Sequence, residues 1–311
     1  MYQRRKFLKQ TSIASALFAS AQFPFEAIAN TNKEQKLTVL HTNDVHSRLD
    51  PFPMDGSKYE GMGGVVARHK MISEIRNKEE HVLLLDAGDI FQGTPYFNYY
   101  KGEPEMKAMS MMGYEASTLG NHDFDNGIDA LVKQMQYADF DFVNCNYDFS
   151  NTPLESIIKP YIILKKGKIT IGILGVGIEL EGLVPDVLFG NIIYNDPIIH
   201  ANETAHFLKK NKRCDYVICL SHLGYEYNNN KVSDKVLAKE SEHINMIIGG
   251  HTHTFLKEPH KVKNRKNQEV IINQVGWAGI MLGTINIFFD NKNDCHYVSE
   301  NSALHVKEFF G

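Results

Sequence analysis

The 311 residues carry a formal net charge of −4, with 43% hydrophobic and 23% charged residues. That balance suits a chain that buries a real core and excludes disordered and coiled-coil architectures. It lacks the basic excess that duplex nucleic acid demands, so a DNA or RNA duplex is set aside as a partner.

Residues 1–29 read as an address. Arg4-Arg5-Lys6 precedes a mild apolar stretch at 11–23, diluted by Thr11, Ser12, Ser15 and Ser20, and Ala27-Ile28-Ala29 offers a small-x-small cleavage point. The pattern predicts a twin-arginine signal peptide and a periplasmic or otherwise extracytoplasmic destination. No apolar run reaches the roughly 18 residues a membrane helix needs, so no span is expected after signal removal. Without Arg4, Arg5, Lys6, Lys9 and Glu26, 29 Lys+Arg face 36 Asp+Glu, a net charge near −7. Cys145, Cys214, Cys219 and Cys295 form no C-x-x-C pair, and no disulfide is assigned.

Beyond residue 30 the chain alternates short apolar runs with amphipathic stretches. Runs at 37–40, 82–85, 114–119, 140–143, 216–220 and 244–248 are brief and rich in branched or aromatic residues, as strands buried on both faces are. Between them the pattern predicts helices over 64–76, 103–112, 127–137, 197–210 and 231–241, several opened by glycine or proline. Residues 161–164 and 169–174 flank Lys165-Lys166-Gly167-Lys168 as a hairpin, and 269–274 with 283–290 reads as a second antiparallel pair. These elements point to an α/β sandwich of two mixed sheets, in one domain over 30–311.

Nearly every predicted buried strand runs straight into a cluster of Asp, Asn or His. The clusters are Asn43-Asp44-Val45-His46, Asp86-Ala87-Gly88-Asp89, Gly120-Asn121-His122-Asp123, Ser221-His222 and Gly249-Gly250-His251-Thr252-His253. Sites in α/β sheets gather at strand carboxyl ends, so five such loops describe one site. Asp, Asn and His without Cys suit divalent Zn, Mn, Fe or Co. Seven candidate ligands exceed one ion, and a shared carboxylate solves the count by bridging two ions roughly 3.5–4 Å apart. Asp89 is the natural bridge, since Gly88 permits a sharp turn at the strand end. Alternation in Asp44-x-His46 and His251-x-His253 is expected to put each pair on one side of an extended segment. Asp86 reads as a structural acceptor and Arg68 as a helix residue. Gly61-x-Gly63-Gly64 is either an anion cradle at a helix start or a tight loop.

In order and spacing, these blocks across residues 44–253 resemble the calcineurin-like metallophosphoesterases: D-x-H, G-D, G-N-H-[DE], a lone His, then G-H-x-H. Leu40-His41-Thr42-Asn43-Asp44-Val45-His46, Gly120-Asn121-His122-Asp123-Phe124-Asp125 and the stretch Gln274-Val275-Gly276-Trp277-Ala278-Gly279 look like the 5′-nucleotidase branch. The resemblance implies a four-layer α-β-β-α sandwich with a two-metal site at the strand carboxyl ends. It implies one divalent metal ion held by Asp44, His46, Asp89 and His253, and a second by Asp89, Asn121, His222 and His251. His122 matches the family's catalytic histidine and Asp125 the aspartate that orients it, while Asp123 falls outside the ligand set. The implied reaction is in-line attack of a metal-bridging hydroxide on a small phosphorylated substrate, by family a nucleotide.

Full-length members of that branch carry a C-terminal domain that grips the phosphate and the base, and the present sequence is expected to lack it. Three readings follow: a phosphomonoesterase working alone, the catalytic half of a split nucleotidase that needs a separately encoded C-terminal domain, or a silent metal-binding or partner-binding module.

Overall fold

Chain order in the computed structural model, which describes residues 34–290, 295–298 and 303–307, starts with strand β1 (Gln35–Thr42) and helix α1 (Val65–Arg76). Next come β2 (Val82–Asp86), α2 (Pro95–Tyr100), α3 (Glu103–Met112), β3 (Ala116–Ser117), α4 (Ile128–Met135), β4 (Asp141–Phe142) and β5 (Tyr147–Asp148). The middle of the chain gives β6 (Tyr161–Lys166), β7 (Ile169–Gly177), α5 (Asp186–Phe189), β8 (Ile193–Tyr194), α6 (Pro197–Lys210), β9 (Tyr216–His222) and α7 (Asp234–Glu240). The last strands are β10 (Met246–Gly249), β11 (His260–Lys263), β12 (Glu269–Asn273), β13 (Met281–Phe289), β14 (Cys295–Val298) and β15 (Ala303–His305). The expected signal at 1–29 lies outside the described residues.

Two large mixed sheets result. One runs β14-β13-β1-β2-β3-β4 with β15 also on β13, the other β11-β12-β10-β9-β7-β6. In each, a parallel core (β1-β2-β3-β4, and β7-β9-β10-β12) is flanked by antiparallel strands. The parallel cores explain the continuous apolar runs, because both faces of each strand are covered.

Strand alternation sorts the side chains into layers. Leu37, Val39, Leu83 and Leu85 point at Tyr216, Ile218, Leu220 and Ile248 in an apolar seam between the sheets. The intervening Leu40, Val82 and Leu84 pack with Ala67, Ile72, Met106, Met109 and Leu131 of α1, α3 and α4. On the far side Val217, Cys219 and Ile247 pack with Ala201, Ala205, Leu208, Leu237 and Ala238 of α6 and α7. Each fully buried Leu or Ile in these layers contributes about 1.5–3 kcal/mol of transfer free energy. The order is therefore helices, sheet, sheet, helices.

The flanking helices start on recognisable chemistry. Asp196 caps α6 by accepting from the N–H groups of Ile198 and Ile199, with Pro197 at the first helical position and Lys209 and Lys210 in the last turn. Ser233 caps α7 by accepting from Val236 N, which starts that helix later than 231.

One expected pairing is wrong. Strands β12 and β13 do not pair: β12 lies between β10 and β11 in one sheet, and β13 pairs with β1 in the other. Each run is apolar enough to be a central strand, so it finds a partner in its own sheet. The partner of β12 is β11, whose exposed lysines hid it from a search for apolar runs. The 161–174 hairpin forms as expected, with Leu164 opposite Ile171. Cys145, Cys214 and Cys219 are free thiols. No helix among the described residues is long and apolar enough to cross a membrane.

Candidate metal centre

The carboxyl ends of the parallel strands of both sheets carry the candidate residues. Asp44 and His46 follow β1, Asp89 follows β2, and Asn121, His122 and Asp125 follow β3. His222 ends β9, and His251 and His253 follow β10. All seven predicted ligands gather there, in two neighbouring groups. Asp44, His46 and His253 form one, and Asp89, His222 and His251 the other, with potential ligand atoms inside each group within 4.8 Å of one another. Asn121 joins the second group, its Oδ1 2.9 Å from His251 Nδ1.

The expected extended segments are absent. Asp44 (φ 50°), His46 (φ 51°), His251 (φ 70°) and His253 (φ 52°) are all left-handed, as is Asp89 (φ 55°) after Gly88 (φ 86°). Two left-handed residues around one ordinary residue coil the backbone; His251 and His253 serve different groups, whereas Asp44 and His46 serve the same one. Left-handed backbone costs a non-glycine residue about 1–2 kcal/mol, so strain is concentrated where the candidate ligands sit.

Hydrogen bonds hold these loops. Asp44 N donates to Gly88 O and His46 N to Asp89 O, which ties the β1 and β2 loops. The Asp44 carboxylate accepts from His251 N at 2.9 and 3.0 Å. Asn43 donates to Asp44 Oδ2 (2.6 Å) and to Gly276 O (2.7 Å), while its Oδ1 accepts from Val275 N. Gln274 donates to Gly250 O at 2.5 Å. Asn43 and Gln274 are thus braces that the search for ligand types passed over, because their amides are spent mostly on backbone.

The imidazole tautomers favour cations. His46 Nδ1 lies 3.1 Å from Phe91 O, and His222 Nδ1 lies 2.7 Å from Ala87 O. A carbonyl only accepts, so each Nδ1 carries a proton and each Nε2 turns inward, bare unless a second proton or a cation meets it. His46 Nε2 then faces His253 Nε2 at 3.0 Å, and His222 Nε2 faces Asp89 Oδ2 at 3.0 Å and Asp44 Oδ1 at 3.9 Å. His222 is fully buried, and its Nε2 has no partner with hydrogen-bond geometry despite the short distance to Asp89. Lone pairs aimed at lone pairs call for positive charge between them. A divalent cation in each group satisfies all of these atoms, so the residues fit a two-metal centre.

The titration behaviour follows the same charge balance. Burial opposes charge on His222, yet Asp89, then Asp44 and the Ala87 carbonyl, carry it up to about 10. Burial also opposes the Asp89 carboxylate, but His222, His46 and His122 hold it below the usual range. Burial lowers His46, and lowers His251 to about 4 with help from His222. His122 differs: its hydrogen bond to Asp125 raises it, against partial burial. His122 Nδ1 donates to Asp125 Oδ2 at 2.9 Å, which leaves the Nε2 of this partly exposed ring, 5.4 Å from the His46 ring, outside that bond.

Asp86 is the structural acceptor expected of it. It takes hydrogen bonds from Thr42 (2.6 Å), Ser117 (2.9 Å) and Gly88 N (2.9 Å), and burial pushes it up to about 6. Arg68 is buried in the fold under Gly279. Gly61, Gly63 and Gly64 make the tight loop: Gly61 N donates to Phe52 O, and Gly64 (φ 86°) packs against Pro51 at the start of α1. Trp277, the single tryptophan of the chain, stacks on His253 with ring centroids 5.8 Å apart at 10°.

Comparison with known proteins agrees with this geometry. Residues 37–255 match the calcineurin-like phosphoesterase family. The snake venom 5′-nucleotidase of Crotalus adamanteus is 33% identical over 297 residues, covering 88% of this chain and 48% of that protein. The 5′-nucleotidase of Homo sapiens is 33% identical over 281 residues, covering 83% and 47%. Among solved structures, the 5′-nucleotidase precursor of Thermus thermophilus superposes with a TM-score of 0.78 at 31% identity, covering 88% of this chain and 55% of that one. The chain spans about half the length of the curated relatives it matches. With this match over most of the strands that carry the site, the chain belongs to the calcineurin-like phosphoesterase family.

Proposed function

We propose that this chain hydrolyses phosphate monoesters, nucleoside monophosphates among them, at a centre of two divalent cations. The observation that carries the reading is the convergence of bare imidazole nitrogens and buried carboxylates into two adjoining groups. In it Asp44, His46, Asp89 and His253 hold one cation, and Asp89, Asn121, His222 and His251 the other. Two such cations supply a water of lowered pKa and neutralise charge on phosphoryl oxygens. His122 is held by Asp125 through Nδ1 beside the His46 ring, which leaves Nε2 to donate to a phosphoryl oxygen or the leaving group. Asp125 keeps that proton on the ring by favouring the charged form.

The nucleotide preference is supported by the relatives, which are 5′-nucleotidases that match this chain over about half of their length. A panel of nucleoside monophosphates, cyclic nucleotides, nucleotide sugars and p-nitrophenyl phosphate, run on the metal-loaded protein, tests it. The reading expects monoesters to lead, and a preference for diesters would overturn it. A second reading is that a domain beyond the matched half, on this chain or another, completes the substrate grip, since the chain spans about half the length of the curated relatives it matches. Full efficiency of the chain alone on nucleoside monophosphates would remove it.

We also propose that residues 1–29 direct export, on the strength of Arg4-Arg5 and Ala27-Ile28-Ala29. Replacing both arginines by lysine should leave the protein inside the cell, and unchanged export would contradict the assignment.

A further inference from the structure

Asp123 sits one residue past His122 and outside both ligand groups. It is 3% exposed, and its carboxylate is met by backbone N–H groups. Its Oδ2 accepts from Asp89 N at 3.0 Å and from Gly120 N at 2.8 Å. Its Oδ1 accepts from Ile90 N at 2.9 Å and from Phe91 N at 3.3 Å. Three consecutive N–H groups of the β2 loop, and one of the β3 loop, thus converge on a single carboxylate. In return His122 N donates to Asp89 Oδ1 at 2.8 Å. Two aspartates on loops more than thirty residues apart in sequence therefore each accept from the other's loop.

We propose that Asp123 is a positioning residue, whose carboxylate fixes the spacing between the Asp89 loop and the Asn121 loop on which the second cation depends. The inference rests on the two-cation reading given above. The Asp89 loop is the segment that needs such a clamp, since Gly88 and Asp89 are consecutively left-handed. Asp89 is left-handed and Ile90 is not, and such an alternation turns the successive N–H groups of residues 89–91 to one side, a concavity that an anion fills. With the carboxylate in it, the strained turn satisfies its buried donors. Without it, four buried N–H groups lose their acceptor, and the turn has every reason to relax. Relaxation moves Asp89 relative to Asn121, because Gly120 N shares the same Oδ2. Asp44 and His46 meet the Asp89 loop only through backbone bonds to Gly88 O and Asp89 O, and Asp44 is also held by His251 N, so the first group is disturbed less than the second. A carboxylate that orients ligands from behind is the kind of partner whose loss costs 10–100-fold in metal affinity.

The test is stepwise Mn²⁺ titration of the metal-free full chain by calorimetry, comparing wild type with Asp123→Asn and Asp123→Glu. The Asn variant keeps the shape but loses the charge and one acceptor oxygen. It is expected to bind one of the two steps about 10–100-fold less tightly, with the other changed less. General loosening of the fold would instead lower both steps together, and that result overturns the proposal. So does a folded Asn variant that binds two Mn²⁺ as the wild type does. The Glu variant keeps both acceptor oxygens and is expected to bind more tightly than Asn, which remains decisive if the Asn protein fails to fold: a folded Glu protein that has lost one of the two steps then overturns the claim. Failure of the two-cation reading looks different, because the wild type itself would then take up fewer than two Mn²⁺.

Discussion

Asp89 Oδ2 stands 3.0 Å from His222 Nε2, both residues are buried, and the other nitrogen of His222 is committed to the carbonyl of Ala87. Either a proton or a cation must supply positive charge at that point. Histidines surround Asp89 where a structural ion pair would use lysine or arginine, which is why the pair reads as a metal site.

The roles assigned to Asp89 and His122 separate in a simple way. Asp89→Asn should lose at least one of two bound metal equivalents, measured by elemental analysis after desalting. His122→Ala should keep both while turnover falls about 10²–10⁴-fold, the usual worth of a positioned acid or base. Equal metal loss in the two variants would show that His122 is a ligand and the assignment is wrong.

Trp277 makes the first cation group visible without a label. Its ring lies parallel to that of His253, so a cation on His253 polarises the ring it stacks on. As the chain has one tryptophan, its emission reports on that place alone. Zn²⁺ added to metal-free protein should change the emission saturably, and His253→Ala should abolish the change. A silent signal during calorimetrically measured binding would place the cations elsewhere.

Gly120 tests how tightly the two loops are joined. A Cβ there would fall on Asp89 Oδ1 and within 2.5 Å of Asp89 N. The first is held by His122 N and the second is backbone, so neither gives way freely. Gly120→Ala should lower stability by about 1–3 kcal/mol through overpacking and should also displace the candidate bridge. Denaturant unfolding with metal analysis checks both, and an Ala variant with wild-type metal content would mean that the loops give more than their hydrogen bonds suggest.

His41 should leave its mark on acid stability. It is fully buried, accepts from Asn273 Nδ2 at 2.8 Å, and burial pushes its pKa down to about 3. Between its unfolded value near 6.5 and about 3, the unfolded chain binds the proton and the folded one does not. Folding stability from this group is therefore complete above about pH 6.5 and falls as pH drops through that window, by up to about 1.4 kcal/mol per unit. Asp86 and Asp234, pushed up by burial to about 6 and about 8, act with the opposite sign. Comparing wild type with His41→Gln cancels them. The stability difference between the two proteins should move in favour of Gln as pH falls from 7 to 4, and a constant difference would contradict the assignment.

Much of the site was legible in the sequence because Asp, Asn and His recurred at the ends of apolar runs, and strand ends are where loops meet. What was not legible was how the backbone passes through those residues. Asp44-x-His46 looks like strand alternation, but both residues are left-handed, and only the neighbouring loops that hydrogen-bond to them over-determine that conformation. Asn43, Asp123 and Gln274 were hidden for a related reason: most of their partners are backbone groups far away in sequence, and no local spacing reveals those. The sheets were legible from burial patterns, whereas the partners of β12 and β13 depend on which sheet each run joins, a long-range choice that apolar runs do not encode.

The most direct test of the account is metal content measured together with phosphomonoesterase activity on one preparation of the full chain. The account predicts two divalent equivalents per chain, hydrolysis of nucleoside monophosphates or p-nitrophenyl phosphate, loss of both on chelation, and return of both when Mn²⁺ or Zn²⁺ is restored. A protein that holds two equivalents yet cleaves no phosphate monoester, or that cleaves them undiminished after chelation, would contradict it.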